Sequence, residues 1–292
     1  MKDIIYLAVF LWAVTANASE SVSWNQSKAL PISKVMEVIS AHKASELKEY
    51  TEVYFDLKVN IQNGQVKQSV VRVYYFPDSA SLQNYGTDVI RFTKGIENLS
   101  LLRIASISPD GKITEFSHGD LKINDSNSRN TFSSLKEAVF AFPGLEPGNF
   151  GIVEFELSQD VSARETDWYK EIYATNFYPR LNVNMNVAWD DSFPMHISST
   201  DKNIQCKQAK GSLSCVGKNL PKVKSDSNVM WSDQLASIQL GQFQNWGQVE
   251  EKSNNLFLKS QTPNIKPIES FVLGLLKGET DQFKQISIIH DF

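Results

Sequence analysis

The sequence is poor in the residues that carry metal, redox and phosphate chemistry. It has two cysteines and four histidines in 292 residues. No Cys-x-x-Cys occurs, and two cysteines nine apart do not make a zinc motif. His42, His118, His196 and His290 form no i, i+4 pair, so a helical metal site is excluded. The glycines build neither a phosphate loop nor a dinucleotide turn, and no Gly-x-Ser-x-Gly elbow is present. No cofactor is therefore expected. Basic charge is not in excess: Lys+Arg 29 against Asp+Glu 33 gives a net charge of -4. A nucleic-acid binder needs clustered Lys and Arg for phosphate contacts, so nucleic acid is not an expected partner. Beyond the first residues no apolar run approaches a transmembrane span of about 20 residues.

What is present is a folded composition, 41% hydrophobic and 21% charged. A short polar head, Met1-Lys2-Asp3, precedes an apolar run from Ile4 to Val14, then Ala16-Asn17-Ala18. That order is the pattern of a secretory signal peptide cleaved after Ala18. It predicts a periplasmic or secreted protein that does not span the membrane once the signal is removed. Export to an oxidising compartment makes a disulfide between Cys206 and Cys215 the expected state. A two-residue Lys210-Gly211 hairpin loop supports it, because that register sets Cys206 opposite Cys215 within bonding reach.

The organisation expected is residues 1–18 as signal, 19–49 as leader and helix, 50–240 as a β-domain and 241–292 as a helical tail. Pro31 to Tyr50 suits a helix with Ser33 as cap. Val53, Phe55, Leu57, Val59 and Ile61 alternate with polar residues, as in a half-buried strand. Asn63-Gly64 then turns the chain. A three-residue loop with Gly64 as a bulge keeps the apolar face intact by pairing Phe55 with Val71, and is the register expected. A second hairpin turns at Ser108-Pro109-Asp110-Gly111. A third pairs Ala138–Phe142 with Gly151–Leu157. Further strands are expected at 181–189, 195–199 and 236–240. Many short strands between Gly and Pro turns predict a mainly β chain, an antiparallel β-sandwich with a short N-terminal helix and a helical C-terminal tail. In the tail, Pro267 opens one helix, Gly278 ends it, and Thr280 caps another whose apolar stripe runs to Phe292.

No catalytic or metal-binding residue emerges. A thiol enzyme using Cys215 with His290 and Asp291 is disfavoured, because adjacent residues on a helix point about 100° apart. The stretch from Asp167 to Tyr173, with Phe177 and Tyr178, is aromatic-rich. Trp168, Tyr169 and Tyr173 are candidate ligand-binding residues that could stack on a sugar or grip a peptide. The alternative is that these rings fill the core or cover an edge strand.

The turn Ser108-Pro109-Asp110-Gly111-Lys112, the loop Phe142-Pro143-Gly144-Leu145-Glu146-Pro147-Gly148 and the strand Ile152-Val153-Glu154-Phe155 resemble a bacterial family. It is the all-β domain of unknown function that precedes transglutaminase-like cores in secreted and periplasmic proteins. The resemblance spans roughly 49–240, and Asn245-Trp246-Gly247 resembles the junction at which such proteins leave the sandwich. Residues 279–292 look like the first helix of the core. The family's nucleophilic cysteine lies in a gly-x-cys motif farther on, so no residue here inherits a catalytic role. The resemblance implies a non-catalytic accessory or recognition domain, with a cell-envelope peptide, protein or glycan as partner. A free-standing periplasmic module binding glycan or peptide is the alternative.

Overall fold

The computed structural model describes residues 22–42, 46–126, 134–161, 168–199, 204–260 and 266–290. The expected signal at 1–18 and its cleavage site lie outside the described residues, as do Asp167, Asp291 and Phe292. In chain order the elements are β1 (Val22–Trp24), α1 (Ile32–Ser40), β2 (Thr51–Gln62), β3 (Gln65–Tyr75), α2 (Ser79–Tyr85), β4 (Thr87–Thr93), β5 (Glu97–Ile107) and β6 (Ile113–Glu115). They continue with β7 (Lys122–Asp125), β8 (Leu135–Ala141), β9 (Phe150–Asp160), β10 (Tyr169–Tyr173), β11 (Arg180–Trp189), β12 (His196–Ser199), β13 (Gln205–Ala209), β14 (Ser212–Leu220) and β15 (Ser237–Gly241). The helices α3 (Trp246–Ser260), α4 (Lys266–Leu276) and α5 (Gln282–His290) follow. The chain divides into two compact units, one up to Gln242 and one from Phe243.

The first unit is mainly β. A large sheet runs in the order β1-β5-β9-β3-β2-β11-β14-β13, with β6 added beside β5. Two three-stranded sheets accompany it, β10-β15-β12 and β4-β8-β7. Strands alternate their side chains between faces, so the buried clusters show how the sheets stack. Phe55, Leu57, Val59 and Val70 pack with Trp168, Ile172, Ile238 and Leu240 of the β10-β15-β12 sheet. Tyr74, Leu99, Leu101 and Val153 pack with Ile90, Phe92, Ala138 and Phe140 of the β4-β8-β7 sheet. Val70 and Tyr74 share one face of β3, so both small sheets lie on the same face of the large one. The opposite face buries Val35 and Ile39 of α1 against Val53, Val73, Tyr75 and Ile152. There Glu154 fastens the segment ahead of α1, accepting from the Leu30 N–H at 2.8 Å and from Arg103 at 2.7 Å.

Most strand pairs are antiparallel, and two are parallel, β1 with β5 and β11 with β2. The cysteine hairpin folds with Ala209 opposite Ser212 and Cys206 opposite Cys215. The two cysteines are joined in a disulfide with Cα atoms 4.1 Å apart. The turn after β5 also forms, with the Gly111 N–H donating to the Ser108 carbonyl and Gly111 at φ 86°.

Several details depart from the sequence expectations. The β2–β3 loop has two residues rather than three. Asn63 and Gly64 take φ of 52° and 73°, as a tight twisted hairpin turn requires, and Phe55 faces Arg72 rather than Val71. The bulge sits instead between Glu52 and Tyr54. The third expected hairpin does not form: β8 pairs with β4 and β7, whereas β9 pairs with β3 and β5. The Phe142–Gly148 loop is thus a crossing between sheets. Helix α1 stops at Ser40, and Pro31, not Ser33, holds its N-cap position. In the second unit Asp281, not Thr280, caps α5, accepting from the Lys284 N–H at 3.0 Å.

The disulfide yields a direct expectation. Closing so short a loop stabilises a chain by about 2–3 kcal/mol when the geometry is unstrained. Replacing both cysteines (C206A/C215A) should lower the unfolding free energy by no more than about 3 kcal/mol and leave the fold intact. Urea denaturation followed by circular dichroism measures it. Intact-protein mass spectrometry without reductant should detect no free thiol.

Candidate functional site

The site grows from a buried charge. Between Glu52 and Tyr54 the bulge adds one residue to β2, so Val53 faces α1 while Glu52 faces the side of the two small sheets. Glu52 is fully buried. Its carboxylate accepts from Arg180 Nε at 2.5 Å and from Arg72 Nε at 2.7 Å. Arg180 stacks over the Phe55 ring at 4.3 Å and donates through Nη1 to the carbonyls of Tyr173 at 2.7 Å and Ala174 at 2.8 Å. Arg72 donates to the Tyr178 hydroxyl at 3.0 Å and lies 3.9 Å from Asp88, which also accepts from Tyr74. Tyr50 completes the group, stacked on Tyr85 at 4.0 Å and edge-on to Tyr178 at 5.0 Å. Burial alone would push Glu52 up, but the charges and hydrogen bonds of Arg180 and Arg72 outweigh it and hold the carboxyl below its ordinary range. Burial raises the hydroxyls of Tyr50, Tyr74 and Tyr178, the last to about 12, so all three stay neutral.

Arg180 thereby fixes the end of β10, and β10 carries the candidate ligand residues. Trp168, just before the strand, has its ring buried in the core at 4% exposure, 6.0 Å from Phe193. It is a packing residue, not an exposed ring that could stack on a ligand. Tyr169 is 60% exposed, and Tyr173 is half-buried. The split follows from strand alternation: Trp168 and Ile172 turn inward, Tyr169, Glu171 and Tyr173 outward. Across the ladder Glu171 faces Gln239 and Tyr173 faces Ser237.

Beside Tyr173, the outward face of this sheet opens on a cleft of ≈450 Å³. Glu171, Ser237 and Gln239 line it from the small sheet, with Lys222 beyond β14 and Asp233 and Gln234 from the loop before β15. The Glu171 carboxylate accepts from the Tyr173 hydroxyl at 2.8 Å, the Ser237 hydroxyl at 2.8 Å and the Gln239 amide at 3.2 Å. Partial burial works against ionisation, but the three hydrogen bonds prevail and hold Glu171 below its ordinary value. Tyr173 is pushed up to about 12 by burial and by its bond to Glu171. Trp231, 57% exposed, stands 5.2 Å from the Tyr173 ring. Its loop is braced from within. The Gln234 side chain donates to the carbonyls of Asp226 at 2.8 Å and Val229 at 2.7 Å, and accepts from the Asp226 N–H at 2.7 Å.

Neither Glu171 nor Trp231 was singled out from the sequence. The available signal was Val229-Met230-Trp231, an apolar triplet inside a polar stretch. Cys215 cannot serve as a nucleophile in this state, because it is buried and bonded to Cys206. Among the described residues no group of three His, Cys, Asp or Glu could hold a metal, and no helix is long and apolar enough to cross a membrane.

The buried cluster predicts a stability profile. Because the Glu52 carboxyl is depressed in the fold, its contribution is present above the ordinary value of 4.5 and is lost as pH falls through the folded value. Glu52→Gln leaves two arginines short of their carboxylate and should cost about 3–5 kcal/mol at pH 7. Urea titrations across pH 3–7 should show a steep acid loss in the natural chain and a shallower one in the variant.

The comparisons with known proteins bear on the fold. Among curated proteins none matches the chain. A crystal structure of a candidate protease from Parabacteroides distasonis is similar, with a TM-score of 0.63 at 11% identity. The match covers 83% of this chain and 49% of that one, so the chain spans about half of that protein's length. Legionella pneumophila aminopeptidase A, solved with aspartic acid, matches with a TM-score of 0.33 at 13% identity, covering 70% of this chain and 23% of that one. Residues 62–214, just over half of the chain, match the domain of unknown function with solved structure, DUF3857. The chain belongs to the DUF3857 family.

Proposed function

We propose that the chain is the non-catalytic recognition part of an exported transglutaminase-like protein of the bacterial cell envelope. The cleft lined by Glu171, with Trp231 beside it, is its ligand site, and the helical unit from Phe243 is the start of a transglutaminase-like core. One observation carries the binding role. An exposed tryptophan is held outward on a loop whose backbone is braced by Gln234, beside a half-buried ring and a fixed carboxylate. Tryptophan is over-represented where binding energy concentrates, and pre-ordering a loop lowers the cost of binding. An exposed Trp does nothing for the fold's own core.

Support for the accessory role is chemical. Both cysteines are joined to each other, so this chain offers no thiolate for transglutaminase-like chemistry. Support for export is the leader pattern together with a disulfide, which persists in oxidising compartments. Support for a continuing core lies in the second unit, where Phe283, Ile286 and Ile289 of α5 and Leu273 of α4 are exposed. A similar structure, of which the match covers 49%, leaves room for a further domain in relatives.

Two measurements test the proposal. N-terminal sequencing of the protein recovered from the periplasm or medium should begin at Ser19, and a chain still starting at Met1 contradicts export. Calorimetric titration with soluble peptide and glycan fragments of the cell wall should give saturable heat, weakened at least tenfold by Trp231→Ala. No heat with any fragment, or a W231A variant that binds equally well, removes the cleft as the site. Iodoacetamide-sensitive amidase or cross-linking activity in the purified chain would overturn the non-catalytic reading.

A further inference from the structure

The cleft has a charge character that narrows its ligand. Glu171 is held by three neutral donors, the Tyr173 hydroxyl, the Ser237 hydroxyl and the Gln239 amide. None of them cancels its charge. Asp233 adds a second carboxylate within Coulomb reach of Tyr173. The cleft's lysine, Lys222, is committed elsewhere, bonded to Glu49 at 2.6 Å. Two negative charges therefore border the cleft without a matching cation among the described residues. Carboxylates alone would be an ordinary solvated surface. The difference here is the pair of rings beside them, Tyr173 and Trp231, 5.2 Å apart, with Met230 at 69% exposure next to the tryptophan.

We propose that the cleft binds a cationic side chain of a peptide, a primary ammonium or guanidinium, between the Glu171 carboxylate and the Tyr173–Trp231 pair. The proposal rests on the cleft being the ligand site and names the class of ligand it takes. Three features favour a cation over a sugar. A carboxylate has about four lone-pair sites, and protein donors already use three on Glu171, which leaves little for a sugar's hydroxyls. The carboxylate's charge stays available, and a charge acts on an ammonium without needing every lone pair. Indole and phenol faces attract cations through their quadrupoles, most strongly for tryptophan. The apolar Met230 and Trp231 surfaces suit the methylene stem of a lysine or arginine, which packs on apolar surface while its charged head reaches the acid.

The test uses the full chain labelled with 5-fluorotryptophan and fluorine NMR, with the Trp231 signal assigned by Trp231→Phe. The probes are Nα-acetyl-lysine methylamide, its norleucine analogue with the same stem and no charge, and the disaccharide of N-acetylglucosamine. The lysine probe should move the Trp231 signal saturably, at least tenfold more tightly than the norleucine probe. Raising salt should weaken it. Glu171→Gln should weaken it about tenfold, and so should Asp233→Asn, which alters an exposed residue and leaves the fold's hydrogen bonds intact. Equal binding of norleucine and lysine overturns the cation assignment. A disaccharide that moves Trp231 where lysine does not overturns it too, while leaving the cleft as the site. If neither these probes nor cell-wall fragments disturb Trp231, the cleft itself is lost as a binding site.

Discussion

One buried carboxylate joins the three sheets of the β-unit. Glu52 stands on β2 of the large sheet, and its two arginines come from β3 and β11 of the same sheet. Through Arg180 it reaches the backbone at the end of β10, in one small sheet. Through Arg72 it reaches Asp88 on β4, in the other. Apolar packing is non-directional and would tolerate sliding between stacked sheets. A buried ion with directed hydrogen bonds does not, because any shift leaves charge desolvated and unpaired. The tyrosines around it pack into the cluster beneath the β4-β8-β7 sheet and stay neutral, with Tyr74 donating to Asp88 and Tyr178 accepting from Arg72.

That constraint carries outward to the cleft. Arg180 bonds to the carbonyls of Tyr173 and Ala174, so the strand bearing Glu171 and Tyr173 is fixed from behind. Alternation along β10 then decides which aromatics face solvent. The loop bearing Trp231 is fixed separately, by Gln234, and sets its ring 5.2 Å from that of Tyr173. Both segments are thus held by hydrogen bonds of the fold itself. The chain belongs to the DUF3857 family and shares its fold with about half of a longer bacterial structure.

Local signals were legible in the sequence where they were sufficient in themselves. The cysteine hairpin follows from a Lys210-Gly211 turn and strict counting, and it forms in that register. The mainly β character follows from alternation and turn chemistry. The β2–β3 register was misread for a physical reason. Pairing Phe55 with Val71 keeps the apolar face intact, and that register would leave Arg72 off the core face. It occupies the core face because Glu52, twenty residues earlier, neutralises it there. A long-range ion pair has no local signature. The β8–β9 hairpin failed likewise, since a Pro-Gly loop can close a hairpin or cross between sheets, and only tertiary packing decides. Of the three candidate aromatics, Tyr169 and Tyr173 share the outer face of β10 while Trp168 faces in, a division that needs the strand's register. Trp231 was missed because its loop has no periodicity.

The claim on which the rest depends is that Arg180 transmits the buried carboxylate's hold to the cleft strand. Amide hydrogen exchange in Arg180→Lys tests it most directly, because lysine keeps the charge but cannot bond the carboxylate and both carbonyls together. Exchange in 169–175 and 237–241 should accelerate at least tenfold, with 65–75 and 150–160 in the large sheet unchanged. Uniform acceleration across all strands, or none in β10 and β15, would contradict the account.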